Sequence, residues 1–89
     1  MATDSNWTLL TNHGRILLII ARNPEILIRD LAAEAGVTER RAQSILSDLE
    51  DANYIKRERD GRRNIYSVNP KSPFRHPSES GHKVGELIR

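Results

Sequence analysis

Between Leu31 and Leu49 apolar residues return every three or four positions, and the pattern breaks once, at Gly36-Val37-Thr38. Spacing of this kind predicts two helices whose apolar sides face inward. The first, Arg29 to Gly36, sets Leu31, Ala32 and Ala35 at i, i+1 and i+4, and Gly36 supplies the left-handed residue that other side chains adopt only at a cost. Val37 fills the corner. Thr38 is placed to cap the second helix, Glu39 to about Ala52, by accepting from a first-turn amide. In that helix Ala42, Ile45, Leu46 and Leu49 make a narrow apolar stripe. At about 100° per residue the opposite side gathers Arg40, Gln43, Ser44, Ser47 and Asp51, with Arg41 and Asp48 at its margin.

After Asn53 the period changes from about 3.6 to 2. Tyr54 to Arg59 and Asn64 to Val68 read as two strands around Asp60-Gly61-Arg62-Arg63, and Asp-Gly is a strong hairpin signal. A two-residue loop at 60 and 61 pairs Ile55 with Tyr66, whereas a four-residue loop from 60 to 63 pairs Ile55 with Val68. Both registers put Ile55, Tyr66 and Val68 on one face.

Ahead of the helix pair, Thr11 or Asn12 can cap a helix that runs to Arg22, because Asn23 precedes Pro24 and the proline ring pushes its predecessor out of the α region. Ile16 to Ile20 are five consecutive branched aliphatics, a run that periodicity alone cannot separate from a strand; the cap before it and the proline after it favour a helix. One helical face cannot hold all five, so part of this helix is expected to pack on a second element or a second subunit. Ile26, Leu27 and Ile28 then form a short β-prone triplet. Residues 1–10, polar apart from Trp7, Leu9 and Leu10, read as an arm. Residues 69–89 read as a tail in which Pro70, Pro73 and Pro77 keep the first part extended or mobile, while Val84, Leu87 and Ile88 can close on one or two amphipathic helical turns.

Eighty-nine residues allow one domain and no catalytic cleft between two. A core of this size is only modestly stabilising, which makes exposed apolar segments candidates for dimerisation. The longest apolar run, Ile16 to Ala21, is six residues, whereas a membrane span needs about 18, and it is too short for a signal-peptide core. There is no cysteine, which excludes disulfides and thiolate chemistry and fits a reducing compartment; the chain reads as soluble and cytoplasmic. The net charge of +2 hides a division, since residues 1–51 carry five arginines against eight acids and residues 52–89 carry nine bases against four acids. Bases gathered in one half point to a localised anionic partner. His13, His76 and His82 are too scattered for a metal site. No strand-turn-helix places a serine nucleophile and no glycine-rich phosphate loop occurs, so neither an enzyme nor a cofactor is expected.

Two helices around a glycine turn, the second with a polar outer face, form a helix-turn-helix. A basic hairpin after the second helix and a short strand before the first extend it to a winged helix. The predicted fold is mainly α with a small β-hairpin (α+β), in the order helix, strand, helix, helix, strand, strand. Its parts are an arm at 1–10, the winged helix-turn-helix at 11–68 and the tail at 69–89, which carries a possible short dimerisation helix.

Three segments, Leu31-Ala32-Ala33-Glu34-Ala35-Gly36-Val37-Thr38-Glu39-Arg40, Leu49-Glu50-Asp51-Ala52-Asn53-Tyr54-Ile55 and Gly61-Arg62-Arg63-Asn64-Ile65-Tyr66-Ser67-Val68, carry a resemblance. Over about residues 11–68 the chain resembles winged helix-turn-helix transcriptional regulators of the MarR and ArsR type, particularly short bacterial and archaeal members. The resemblance implies a DNA-binding regulator without a metal site, since metal-sensing ArsR-type members use Cys or clustered His and acids. It departs from full-length MarR-type proteins in having short arms where they carry long dimerisation helices. It names neither the operator nor an effector.

Residue chemistry indicates how such a protein would meet duplex DNA. The major groove is about 12 Å wide and admits one α-helix. Arg40 can fork to guanine, Gln43 can pair bidentately with adenine, and Ser44 and Ser47 can reach bases or phosphates, with Arg41 beside them. Thr38 and the first-turn amides suit a phosphate, whereas Glu39 serves the helix N-terminus better than it serves a base. In the hairpin, Arg62 or Arg63 is expected in a minor groove and Lys56 or Arg57 at phosphates. Homodimerisation is expected through Trp7, Leu18, Ile19, Val84, Leu87 and Ile88. The competing reading is a protein-interaction module whose wing is only soluble decoration, because fold does not decide function. RNA binding is disfavoured, since only Trp7, Tyr54, Tyr66 and Phe74 are aromatic and Tyr66 is assigned to the core.

Overall fold

Thr11 accepts from the Gly14 amide at 3.2 Å and opens helix α1, Asn12–Arg22, in the computed structural model, which describes residues 7–88. The Asn23 amide donates to the Ile19 carbonyl at 2.9 Å, and Pro24 prevents continuation. Ile16, Leu17, Ile19 and Ile20 are buried, and Leu18, on the opposite side of the helix, is half-buried. The aliphatic run therefore needs no second subunit for most of its surface, because α1 packs on α2 (Ile28–Ala35), on α3 (Glu39–Asp51) and on the hairpin. Burying one such side chain completely is worth about 1.5–3 kcal/mol relative to leaving it exposed.

Helices α2 and α3 stop by the same device. After α2 the Val37 amide donates to Ala32 O at 3.0 Å and the Gly36 amide to Ala33 O at 3.3 Å, with Gly36 at φ +74°. After α3 the Tyr54 amide donates to Leu49 O at 2.9 Å and the Asn53 amide to Glu50 O at 3.0 Å, with Asn53 at φ +67°. This pair of bonds satisfies end carbonyls and requires a left-handed residue, for which glycine is best and asparagine next. The chain can thus leave each helix in a set direction, towards α3 in the first case and towards the hairpin in the second.

Strands β1 (Ile55–Asp60) and β2 (Arg63–Val68) are antiparallel, with Ile55 opposite Val68 and Asp60 opposite Arg63. Of the two expected registers the structure has the Ile55–Val68 one, but its loop tightens to Gly61-Arg62 because Asp60 and Arg63 join the ladder. Gly61 takes the first loop position at φ +66°, a conformation that favours glycine. Ile55 and Tyr66 are buried and Val68 packs against the same core as Ile16, Leu31, Ile45 and Leu46.

The expected strand at Ile26-Leu27-Ile28 does not form, so the order is helix, helix, helix, strand, strand among the described residues up to Val68. Leu27 serves as the N-cap of α2 and Ile28 as its first residue, which leaves only Ile26 of the triplet buried. The outer edge of β2 finds a single backbone acceptor in this region, Tyr66 N–H to Pro24 O at 2.8 Å, and one bond makes no ladder.

The proline-containing tail is folded back, contrary to an extended or mobile segment. The Ser72 hydroxyl donates to the carbonyl of Asn53 at 2.6 Å, the Asn69 amide group donates to the same carbonyl at 3.2 Å, and the Tyr54 hydroxyl donates to Pro73 O at 2.7 Å. A 3-10 turn at Pro77–Glu79 then leads to the short helix α4, Val84–Ile88, whose Val84 is buried in the common core. Gly85 donates to Pro70 O at 2.8 Å, and a Cβ there would lie 3.0 Å from the same oxygen, so glycine permits the close approach.

Candidate nucleic-acid interface

Helix α3 has one wholly buried side and one open side. Ala42, Ile45, Leu46 and Leu49 are buried, whereas Arg40, Arg41, Gln43, Ser44 and Ser47 are all exposed. Thr38 caps the helix by accepting from the Arg41 amide at 3.0 Å, so its oxygen is already engaged with the backbone, and its hydroxyl proton is what it has left to offer an anion. Among the described residues Arg40 and Arg41 take part in no ion pair and no side-chain hydrogen bond. Two of the three acids near the helix's other end are engaged: Asp48 with His13 Nε2 at 2.8 Å, and Glu50 with Arg57 Nη2 at 2.9 Å. The N-terminal half of α3 therefore presents Arg40, Arg41 and first-turn amides beside Glu39, while at its C-terminal end Glu50 is paired with Arg57 and Asp48 is hydrogen-bonded to His13.

The wing divides differently from the sequence expectation. The register places Lys56 and Arg63 on one face and Arg57, Arg59, Ile55 and Tyr66 on the other. Arg57 lies on the face that enters the core, is 23% exposed, and holds Glu50. Arg63 stands beside Glu25 of the α1–α2 connection, Nη1 to Oε1 at 3.7 Å. Arg59 Nε donates to Gly61 O at 3.2 Å, within its own turn. Lys56 and Arg62 are exposed and have no side-chain partner among the described residues. Of the four wing cations named from the sequence, two are thus engaged by carboxylates and two face solvent.

The expected dimerisation residues do not form one surface. Ile19 and Val84 are buried in this chain's own core and cannot be offered to a partner, because α1 turns four of its five aliphatics inward and α4 is pinned through Gly85 and Val84. Leu18 and Ile88 are half-buried and line a shallow cleft with Ala21 and Leu87. Leu87 is 38% exposed and Trp7, at 75%, stands apart on the N-terminal segment. Among the described residues no group of three or more His, Asp or Glu could hold a metal ion, and no helix is long and apolar enough to cross a membrane.

Sequence reasoning missed the partners Glu25, Glu50 and His13. Glu50 sits seven positions before Arg57 across a helix end, and Glu25 and Asp48 act on residues 35 or more positions away. Local periodicity carries no signal for such pairings.

The profile of the MarR family matches residues 7–63. No curated protein matches the chain in sequence. Among solved structures, MepR of Staphylococcus aureus, a transcription regulator of the multidrug efflux pump MepA, superposes with a TM-score of 0.58 at 21% identity, covering 66% of this chain and 46% of that one. FabT of Streptococcus pneumoniae, in complex with DNA, gives 0.60 at 20%, covering 74% and 49%. AF1382 of Archaeoglobus fulgidus gives 0.57 at 20%, covering 68% and 72%. At these identities the likeness is one of fold, and the chain spans about half the length of MepR and FabT. With a matching profile over well more than half its length and a winged helix-turn-helix to go with it, this chain belongs to the MarR family.

Proposed function

We propose that the chain is a sequence-specific double-stranded DNA-binding protein, a transcriptional regulator that acts as a homodimer. Helix α3 enters the major groove and the wing tip meets the minor groove and its phosphates. One observation carries this reading: the open side of α3 has Arg40, Arg41, Gln43, Ser44 and Ser47 exposed, its two arginines without a carboxylate partner among the described residues, directly above a fully buried stripe. Such a side has donors for base edges and no internal use for them. MarR-family membership and the fold shared with DNA-bound FabT support it. The role proposed is one of binding and not of catalysis, and it agrees with the cytoplasmic location expected from the sequence.

Dimerisation is proposed through the patch of Leu18, Ala21, Leu87 and Ile88, with Trp7 as a second contact. Ile19 and Val84 are withdrawn from that set because they are buried. A dimer making about 8 phosphate contacts should lose affinity with a log-log salt slope of roughly −7. Selection from random duplex DNA tests binding, base preference and half-site symmetry together: a two-fold symmetric site is the expected result, and recovery of no site would overturn the reading. Light scattering that finds only monomer at high micromolar concentration would overturn the dimer. Absence of amide shifts at residues 38–47 and 60–64 on adding duplex would favour the protein-interaction module.

A further inference from the structure

Five cations on the hairpin make the wing look like a uniform electrostatic tip, but their surroundings differ. Arg57 is on the core-facing side of β1, opposite Tyr66 in the register and two residues from buried Ile55. Its Nη2 lies 2.9 Å from Glu50 Oε1, with the two side chains 23% and 39% exposed. Glu50 is also the residue whose carbonyl accepts the Asn53 amide at 3.0 Å where α3 ends. Within one cleft Glu50 thus makes two bonds, a backbone one to the left-handed turn at Asn53 and a charge-assisted side-chain one to the first strand of the wing. The other charged groups of that cleft are Lys56 and Glu58, neighbours of Arg57 along β1.

We infer that Arg57 is a positioning residue, which sets the angle of the wing on the recognition helix through Glu50, and that the wing's DNA contacts fall to Arg62 and Lys56. A phosphate at Arg57 would compete with a carboxylate already at hydrogen-bond distance from Nη2, in a pair only partly open to solvent, where salt screens it less than it screens the exposed tip. The planar guanidinium suits this task, since it holds direction as well as charge. Arg62 and Lys56, exposed and without side-chain partners among the described residues, give up no such contact. This rests on the proposed DNA-binding role.

The sign of one substitution separates the alternatives. Glu50→Ala removes an acid from the neighbourhood of DNA and releases Arg57. If Arg57 touched phosphate, binding of the intact chain to a mixed-sequence duplex would be unchanged or tighter. If Arg57 positions the wing, affinity falls by about three- to tenfold. The salt slope should also shrink by about 1 as the Arg62 contact loosens, whereas a merely less stable protein would keep its slope. The exchange Glu50→Arg with Arg57→Glu, which leaves the net charge unchanged, should restore affinity to within about threefold of the parent. Affinity as low as that of Arg57→Glu alone would overturn the inference. A parent chain that binds no duplex defeats the DNA reading instead. The positioning role is then decided by backbone 15N heteronuclear NOE values at residues 60–63 of the free protein. They should drop in Glu50→Ala and recover in the exchange, and values that do not move would overturn it.

Discussion

The arginines of helix α3 and those of the wing are equally basic in composition and unlike in availability. Arg40 and Arg41 stand on the first turn of a helix whose opposite side is wholly buried, and nothing in the described chain holds them. On the wing, Arg57 is held by Glu50, Arg63 stands at Glu25 and Arg59 bonds to its own turn. Charge density along the chain therefore overstates what the hairpin can offer DNA and understates what α3 can. A free arginine on a rigid helix can discriminate bases, whereas an arginine engaged by a carboxylate sets geometry.

The strongest way to break this contrast is from below. Ile45 is fully buried on the inner side of α3, between exposed Ser44 and Ser47. Ile45→Ala should cost about 2–5 kcal/mol, because the lost transfer energy is joined by the cavity left behind. Urea unfolding measures it. A loss under 1 kcal/mol would mean that α3 is held mainly by its ends and not by its stripe. Next in size is Arg40→Ala, expected to lower discrimination between the selected site and its point variants at one position by about 1–3 kcal/mol, with little change in non-specific affinity. A uniform loss across sequences would reduce Arg40 to a phosphate contact. Arg62→Ala should produce that uniform pattern, with a salt slope smaller by about 1, and no loss on Arg62→Ala would remove the wing tip from the interface.

How much of this was legible in the sequence follows from the range over which each feature is determined. The helix pair is decided within a few residues: Gly36 and Thr38 act on amides and carbonyls three to five positions away, and the stripe from Ala42 to Leu49 is periodic. Those were readable, as was the hairpin about Asp60-Gly61, although its register was not, because both alternatives bury the same side of the strands. The triplet Ile26-Leu27-Ile28 has strand propensity and no ladder to join, so α2 takes its last residue. The tail misled for the opposite reason. Pro70, Pro73 and Pro77 are local signals of irregular chain, and the bonds that fold residues 69–73 back come from Asn53, Tyr54, Val84 and Gly85, 12 to 19 positions off. Among the candidate site residues, exposure of the α3 set could be read from periodicity, whereas the engagement of Arg57 and Arg63 depends on acids brought close only by the fold.

The mildest test probes the wing against itself. Glu25 and Arg63 are 3.7 Å apart with side chains 59% and 57% exposed, whereas the Glu50–Arg57 contact is shorter and more enclosed. An exposed pair is worth about 0–1 kcal/mol, since solvent screens it and two long side chains must be ordered to make it. Glu25→Gln should therefore change the urea-unfolding free energy by no more than about 0.5 kcal/mol. It also removes a fixed negative charge beside the wing and frees Arg63, so duplex affinity should rise about two- to threefold at low salt. The gain should fade as the screening length drops below about 10 Å above 0.1 M salt. Weaker binding instead would show that Arg63, like Arg57, works by being held. The wing's cations would then divide by whether they have a carboxylate partner at all, however open to solvent that partner is.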